Sequence, residues 1–346
     1  MDFASKFKNI LIFGHNNLGD VCYDLIVVSC LRKEFPRAKI SFIVGLQCVE
    51  LVELCKGVNQ AITFDKQKGF LNYWYFIRRI KAKHFDLSII LRNTQMHYFF
   101  AISKQIKSKR YFFKKNNLHN AEKNLALLSK IGIKQTSSKL NFSFSKQDIA
   151  FAAKLIINTN RGKTNLLVGI MPFAGWTLKC WPVERWNQLI ALIDLQLDAK
   201  VFVFGKTGKN LWEEKFVRDI SDKSISLINK CSLSRCLSVI KNMDLFIGTD
   251  SSLLHFASSL GVPAVGLYGP TDANIFYPFY HRKYRVIANN RLKCMPCYLK
   301  ARVGSCGVKA MPAECMKRIE AWQVMEKVNQ IIKEEQIWTK KKLKTQ

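Results

Sequence analysis

Short apolar runs alternate with longer stretches of helical period along the first half of the chain. Asn9–Phe13 is a run of strand type, and a helical pattern follows over 20–34. Further strand-type runs fall at Lys39–Val44, 61–64 and 87–91, with helical patterns at 69–83 and 118–131. Strands alternating with helices predict a parallel sheet with right-handed crossovers. A polar stretch at 158–165, with Gly162 and no apolar period, reads as a linker. The alternation then restarts. Strand patterns lie at Leu166–Met171, 200–204, 244–247 and Ala264–Tyr268, and helical patterns at 182–195, 209–220, 233–241 and 251–260.

The expected organisation is therefore a domain over 1–157, a linker over 158–165, a second domain over 166–330 and a basic tail over 331–346. A length of 346 residues suits two domains of roughly 150 residues each. Two parallel-sheet units side by side leave a cleft at the carboxyl ends of their strands, where α/β sheets bind ligands.

Charge narrows the partners. Against 25 Asp and Glu stand 55 Lys and Arg, a surplus of +30. Such a surplus attracts polyanions: nucleic acid, anionic lipid, phosphorylated glycans or nucleotide diphosphates. It does not choose among them, and a Lys- and Asn-rich proteome is the plain alternative. No helix-turn-helix, RNP-like or zinc-finger pattern supports a specific nucleic-acid partner. The apolar run at 10–13 is too brief for a signal core, and no stretch approaches the roughly 20 apolar residues of a spanning helix. A cytoplasmic protein is expected, attached at most to the inner face of the membrane. Asp24 interrupts the apolar run over 21–31, which reads as an amphipathic helix.

Three loops carry candidate chemistry. Gly14-His15-Asn16-Asn17-Leu18-Gly19-Asp20 follows the first strand, with glycines for a tight turn and Asp20 at the helix start. Asp20 is either a carboxylate base or an N-cap. The spacing is not that of a dinucleotide fingerprint. The second loop runs from Pro172 to Pro182 through Gly175, Thr177 and Lys179. A lysine beside a helix N-terminus suits a diphosphate; the alternative is a solvated lysine beside a core Trp181. In the third, Asp250 ends a strand and Ser251 and Ser252 open a helix, with Leu253 and His255 in its first turns. Free helix N–H groups and hydroxyls together favour an anion. Gly269, after the next strand, lies in a loop at the same sheet edge.

Taken together, 10–20, 168–189 and 244–272 resemble the bacterial heptosyltransferases, glycosyltransferases of the GT-B fold that use ADP-heptose and lipopolysaccharide. The resemblance runs in order over about 8–330. It implies an α/β, GT-B architecture, two Rossmann-like parallel-sheet domains facing across a cleft. It also implies inverting transfer of heptose to the lipopolysaccharide inner core, with no cofactor and no catalytic metal. Asp20 then corresponds to the base. Lys179 would steady the diphosphate, with Gly175, Thr177, Asp250, Ser251, Ser252, Leu253, His255 and Gly269 around the donor. Glu213 and Glu214 are the candidates for an acidic residue on the donor ribose. The chain departs from the family's pattern at His15 and Asn16, where a basic residue or Pro is usual. It departs also at Asp24, where Thr is usual, and at Ser252, where Gly is. Another nucleotide sugar on the same fold, a non-catalytic scaffold and a polyanion-binding protein are the alternatives.

Two stretches mix aromatic and basic residues, 70–81 and 96–115. They are expected either to meet a phosphorylated lipid A-type acceptor and the anionic leaflet, or to divide into core aromatics and solvated cations. Among the eleven cysteines, Cys294, Cys297, Cys306 and Cys315 begin with a C-x2-C pair. They form either a structural zinc site or a set of reduced thiols, and a disulfide is not expected in the cytosol.

Overall fold

The computed structural model describes residues 6–63, 69–100, 102–107, 118–134, 140–159, 166–208, 211–281, 283–288, 292–298, 306 and 312–337. The chain divides into two compact units, Met1–Ser143 and Phe144–Gln346.

In the first unit five parallel strands lie in the order β3-β2-β1-β4-β5. They are β1 (Asn9–Phe13), β2 (Lys39–Val44), β3 (Gln60–Thr63), β4 (Leu87–Ile90) and β5 (Lys104–Lys107). In β1 the residues from Ile10 to Phe13 are all buried, as expected for a central strand covered on both faces. One face meets α3 (Gly69–Lys81): Leu11, Phe13, Ile43 and Ile90 cluster with Phe76 and Ile80. Helix α1 (Leu18–Glu34) follows β1 and packs on α4 (Asn120–Leu128). It was expected to be amphipathic, but every residue from Val21 to Val28 is buried, Asp24 included. A helix with covered flanks has no reason to segregate polar residues, so Asp24 is a buried carboxylate and not the edge of a wet face.

In the second unit six parallel strands take the order β11-β10-β9-β6-β7-β8. These are β6 (Leu166–Met171), β7 (Ala199–Val203), β8 (Ser224–Ser226), β9 (Leu245–Thr249), β10 (Ala264–Tyr268) and β11 (Tyr284–Ala288). Helix α6 (Val183–Leu197) packs on the C-terminal α12 (Ala321–Glu334), and α5 (Lys146–Thr159) on α8 (Leu233–Ile240). The expected boundary at 157 falls inside α5, and the first two residues of the expected linker end that helix. Its remainder, 160–165, lies outside the described residues. The tail expected from 331 is helical to Glu334, with Ile331 and Ile332 buried.

Both sheets share one topological property. The chain starts at a central strand, builds to one side, then crosses to the other. The direction reverses between β1 and β4 in the first unit and between β6 and β9 in the second. Loops at the carboxyl ends of strands flanking such a point splay apart and leave a crevice.

Docking of α12 rests on Ala321, Val324, Val328 and Ile331, all nearly or fully inaccessible. Ile331→Ala should lower the unfolding free energy by about 2–5 kcal/mol, since a buried β-branched side chain leaves a cavity. Urea denaturation checks this through a lower midpoint at unchanged slope.

Candidate active site

In the first unit the crevice between β1 and β4 is walled by Gly14–Asp20 and the residues after Ile90. A Cβ on Gly14 would stand 2.1 Å from the Phe42 ring of β2 and 3.2 Å from Asp24 Oδ2 of α1, so glycine is the residue that fits between them. The next residue uses that approach. The His15 backbone N–H donates to Asp24 Oδ2 at 2.7 Å, and its Nδ1 lies 3.0 Å from both carboxylate oxygens. Asn124 Nδ2 donates to Asp24 Oδ1 at 3.0 Å. Burial works to lower the His15 pKa. The charge and hydrogen bond of Asp24, then the charge of Asp20, outweigh it and the repulsion of Arg92, and push it up to about 9. His15 is thus an imidazolium at neutral pH.

Asp20 is not the N-cap. Asn17 holds that position without a side-chain cap, and Asp20 stands three residues on, in the first turn of α1. It is partly buried, and Asn17 Nδ2 donates to its Oδ2 at 3.3 Å. Across the crevice Arg92 Nη1 donates to Asn16 Oδ1 at 2.6 Å, while the buried Arg92 Nε has no partner. A cavity of about 610 Å³ opens here, lined by Asn16, Tyr73, Arg92, Asn93, Thr94 and Phe99 among others. Amides, a hydroxyl, two aromatic faces and a guanidinium with an unused donor suit a polyhydroxylated ligand bearing an anionic group.

In the second unit the crevice lies between β6 and β9, and an ion pair spans it. Lys179, in a turn over Thr177–Lys179, donates from Nζ to Asp250 Oδ2 at 2.8 Å. His255 Nε2 lies 3.3 Å from Asp250 Oδ1. Burial raises the Asp250 pKa, but the His255 hydrogen bond and the Lys179 charge more than offset it, so the group is held well below the usual carboxylate range. Lys179 is therefore not the solvated lysine of the simpler reading: two residues expected on the donor are first of all each other's partners. An ammonium has three donors, and Asp250 takes one.

Helix α9 (Ser252–Ser259) starts beside this pair, with Ser251 as its N-cap. The Ser251 hydroxyl makes no cap bond, and its oxygen is buried without a partner. Leu253 and His255 are buried. Gly175 and Thr177 are exposed, and a Cβ on Gly175 would meet no atom within 4 Å. Gly269 is needed instead for packing, since a Cβ would come within 2.6 Å of Met316 Sδ. Glu213 accepts the Gly208 N–H at 2.6 Å, and Glu214 is exposed.

Tyr298 is a residue the loop patterns do not reveal. The Lys179 Nζ sits 4.6 Å from its ring centroid, and Trp176 packs beside it at 5.6 Å. Backbone N–H groups of Cys297 and Tyr298 both donate to Pro270 O, which fixes the ring over the ammonium. Only its place after the C-x2-C pair marks it in the sequence. Cys294, Cys297, Cys306 and Cys315 line one cavity of about 80 Å³. Burial, then the neighbouring sulfurs, push the Cys315 thiol up to about 11. Among the described residues, no three His, Cys, Asp or Glu side chains are grouped to hold a metal ion.

Two all-parallel sheets, each with its polar loops at a switch point, define the GT-B fold of glycosyltransferases. The chain belongs to glycosyltransferase family 9 (heptosyltransferase), whose family model matches residues 74–305. Among curated relatives, the lipopolysaccharide core heptosyltransferase OpsX of Haemophilus influenzae is 24% identical over 312 residues, covering 84% of each chain. The solved glycosyl transferase family 9 protein of Veillonella parvula has a TM-score of 0.77 at 20% identity, over 96% of this chain and 99% of that one. TibC, an iron-containing dodecameric glycosyltransferase of enterotoxigenic E. coli, was also solved with ADP-D-β-D-heptose. That complex gives a TM-score of 0.60 at 15% identity, over 95% of this chain and 77% of that one.

The His15 charge makes stability depend on pH. Its folded pKa lies above the ordinary 6.5, so its stabilisation is complete below about 6.5 and is lost as pH rises through about 9. Urea midpoints of wild type and His15→Gln should differ most near and below pH 6.5 and converge as pH rises through about 9. A constant difference across that window would contradict the assignment.

Proposed function

We propose that this chain transfers a heptose from ADP-heptose to a sugar hydroxyl of the lipopolysaccharide inner core, with inversion at the anomeric carbon. The observation that carries this reading is the group at the β6–β9 crevice. An ammonium, an unpartnered buried hydroxyl and a helix N-terminus converge there, as a leaving diphosphate requires. The curated relative's name, a lipopolysaccharide core heptosyltransferase, supports the acceptor class. The ADP-D-β-D-heptose bound by TibC supports the donor.

In this mechanism the Asp20 carboxylate takes the proton of the acceptor hydroxyl as its oxygen bonds to the anomeric carbon. The bond from that carbon to the diphosphate oxygen breaks on the opposite face. Lys179, with Ser251, Ser252 and the first N–H groups of α9, stabilises the charge on the departing ADP. The first unit contributes the base and the acceptor cavity, with Arg92 facing an anionic group on the acceptor. No step is routed through a metal.

Asp20→Ala should reduce transfer by about 10²–10⁴-fold while ADP still raises the melting temperature, because a base acts on the acceptor. Lys179→Ala should weaken ADP binding and turnover together, because it meets the diphosphate before and during bond cleavage. In EDTA the wild type should be stabilised by ADP and not by UDP, GDP or CMP. Stabilisation by UDP alone would replace the proposed donor.

The acceptor is lipid-linked, and we extend the proposal to a peripheral site on an anionic membrane. Trp74, Tyr75, Tyr98 and Phe99 are 52%, 65%, 73% and 47% exposed. Arg78 lies over the Trp74 ring and Lys107 over that of Tyr98. Phe76 and Ile80 of the same stretch are core, so α3 divides between the two expected roles. Residues 108–117 and 338–346, which hold further basic clusters, lie outside the described residues. The protein should sediment with anionic liposomes at low salt, and Trp74→Ala with Tyr98→Ala should weaken this. Sedimentation unchanged by salt and by both substitutions would contradict the membrane site.

A further inference from the structure

Asp24 poses a problem for a base at Asp20. The two are four residues apart on α1 and so share one face of the helix, where like charges repel. Asp24 is wholly inaccessible to solvent, so water does not screen it. A carboxylate one turn away in a poorly solvated site favours the protonated form of its neighbour, and a protonated Asp20 accepts no proton. The structure supplies a counter-charge. His15 folds back over the start of α1 and clasps both oxygens of Asp24 at 3.0 Å, with its backbone N–H adding a third contact. Gly14 permits that turn, and Asn124 from α4 fills the remaining acceptor position.

We propose that His15 is a positioning residue for the transfer reaction: clamped on Asp24, its imidazolium cancels the buried charge and keeps the Asp20 carboxylate ionised. The inference rests on Asp20 being the base. Among the described residues, four charged or titratable groups face the imidazole region. Asp20 and Asp24 lie on α1, and Arg92 follows β4. Cys48, in the turn after β2, is a protonated thiol, pushed up to about 12 by burial, Asp24 and Asp20. Arg92 opposes the imidazolium but is itself engaged with Asn16. His15 is therefore the cation in direct contact with Asp24.

The experiment is a pH profile of kcat/KM for transfer with His15→Gln, Asp24→Asn and the double variant. His15→Gln uncovers the Asp24 charge, so the acid limb should move to higher pH by about one unit. The double variant removes both charges and should return the limb towards its wild-type position, which a merely structural loss at residue 15 would not do. A limb that stays put in His15→Gln, or a double variant displaced as far as the single one, overturns the proposal. A second measurement needs no substrate. In an NMR titration of the full chain, with the ring signal assigned through His15→Gln, Asp20→Asn should lower the His15 pKa. A His15 titration indifferent to Asp20→Asn also overturns it. Retained transfer by Asp20→Ala would instead remove Asp20 as the base, which separates failure of that reading from failure of this one.

Discussion

A carboxylate withdrawn from water costs several kcal/mol unless cations and donors meet it, and each unit of this chain has such a carboxylate at its sheet edge. Asp24 in the first unit draws the loop after β1 back over α1 through His15. Asp250 in the second draws the loop after β6 across to β9 through Lys179, with His255 behind it. In both cases the cation comes from a loop and the carboxylate from a helix or strand end. The buried acid therefore fixes the conformation of the loop that carries functional side chains. Breaking either pair leaves an uncompensated charge, so these loops cannot drift without loss of stability.

Sheet topology decides where those loops stand. Because the strand order reverses between β1 and β4 and between β6 and β9, the adjoining loops part there. The first crevice holds Asp20, Arg92 and a roomy polar cavity suited to an acceptor sugar. The second holds the ammonium, the hydroxyl and the helix start suited to a leaving diphosphate. The proposed glycosyl transfer needs these two sets of groups and little covalent chemistry from the protein.

Much of this was legible in the chain. Buried central strands such as Asn9–Phe13, Leu166–Met171 and Leu245–Thr249 carry mostly apolar runs, and Asp20, Lys179 and Asp250 follow them in the chain. Strands β5 and β8 were not legible: Lys-Gln-Ile-Lys and Ser-Ile-Ser are short, polar edges with little to bury. Helix α5 hides for a different reason, since its Ile149 and Ile157 are exposed and its apolar positions mark no single buried face. The pairing partners were the deeper gap. Nothing in local spacing ties Lys179 to Asp250, 71 residues on, or places Tyr298 over the same ammonium. Asp24 looked like a polar break in an amphipathic helix because burial around a whole helix is set by its neighbours and not by its own period.

The most direct measurement is mass spectrometry of a heptose-deficient lipopolysaccharide acceptor incubated with the purified protein and ADP-heptose. The account predicts a mass increase of one heptosyl residue, with release of an equal amount of ADP. An acceptor that stays unmodified with ADP-heptose yet gains a hexosyl residue from a UDP-hexose would contradict it.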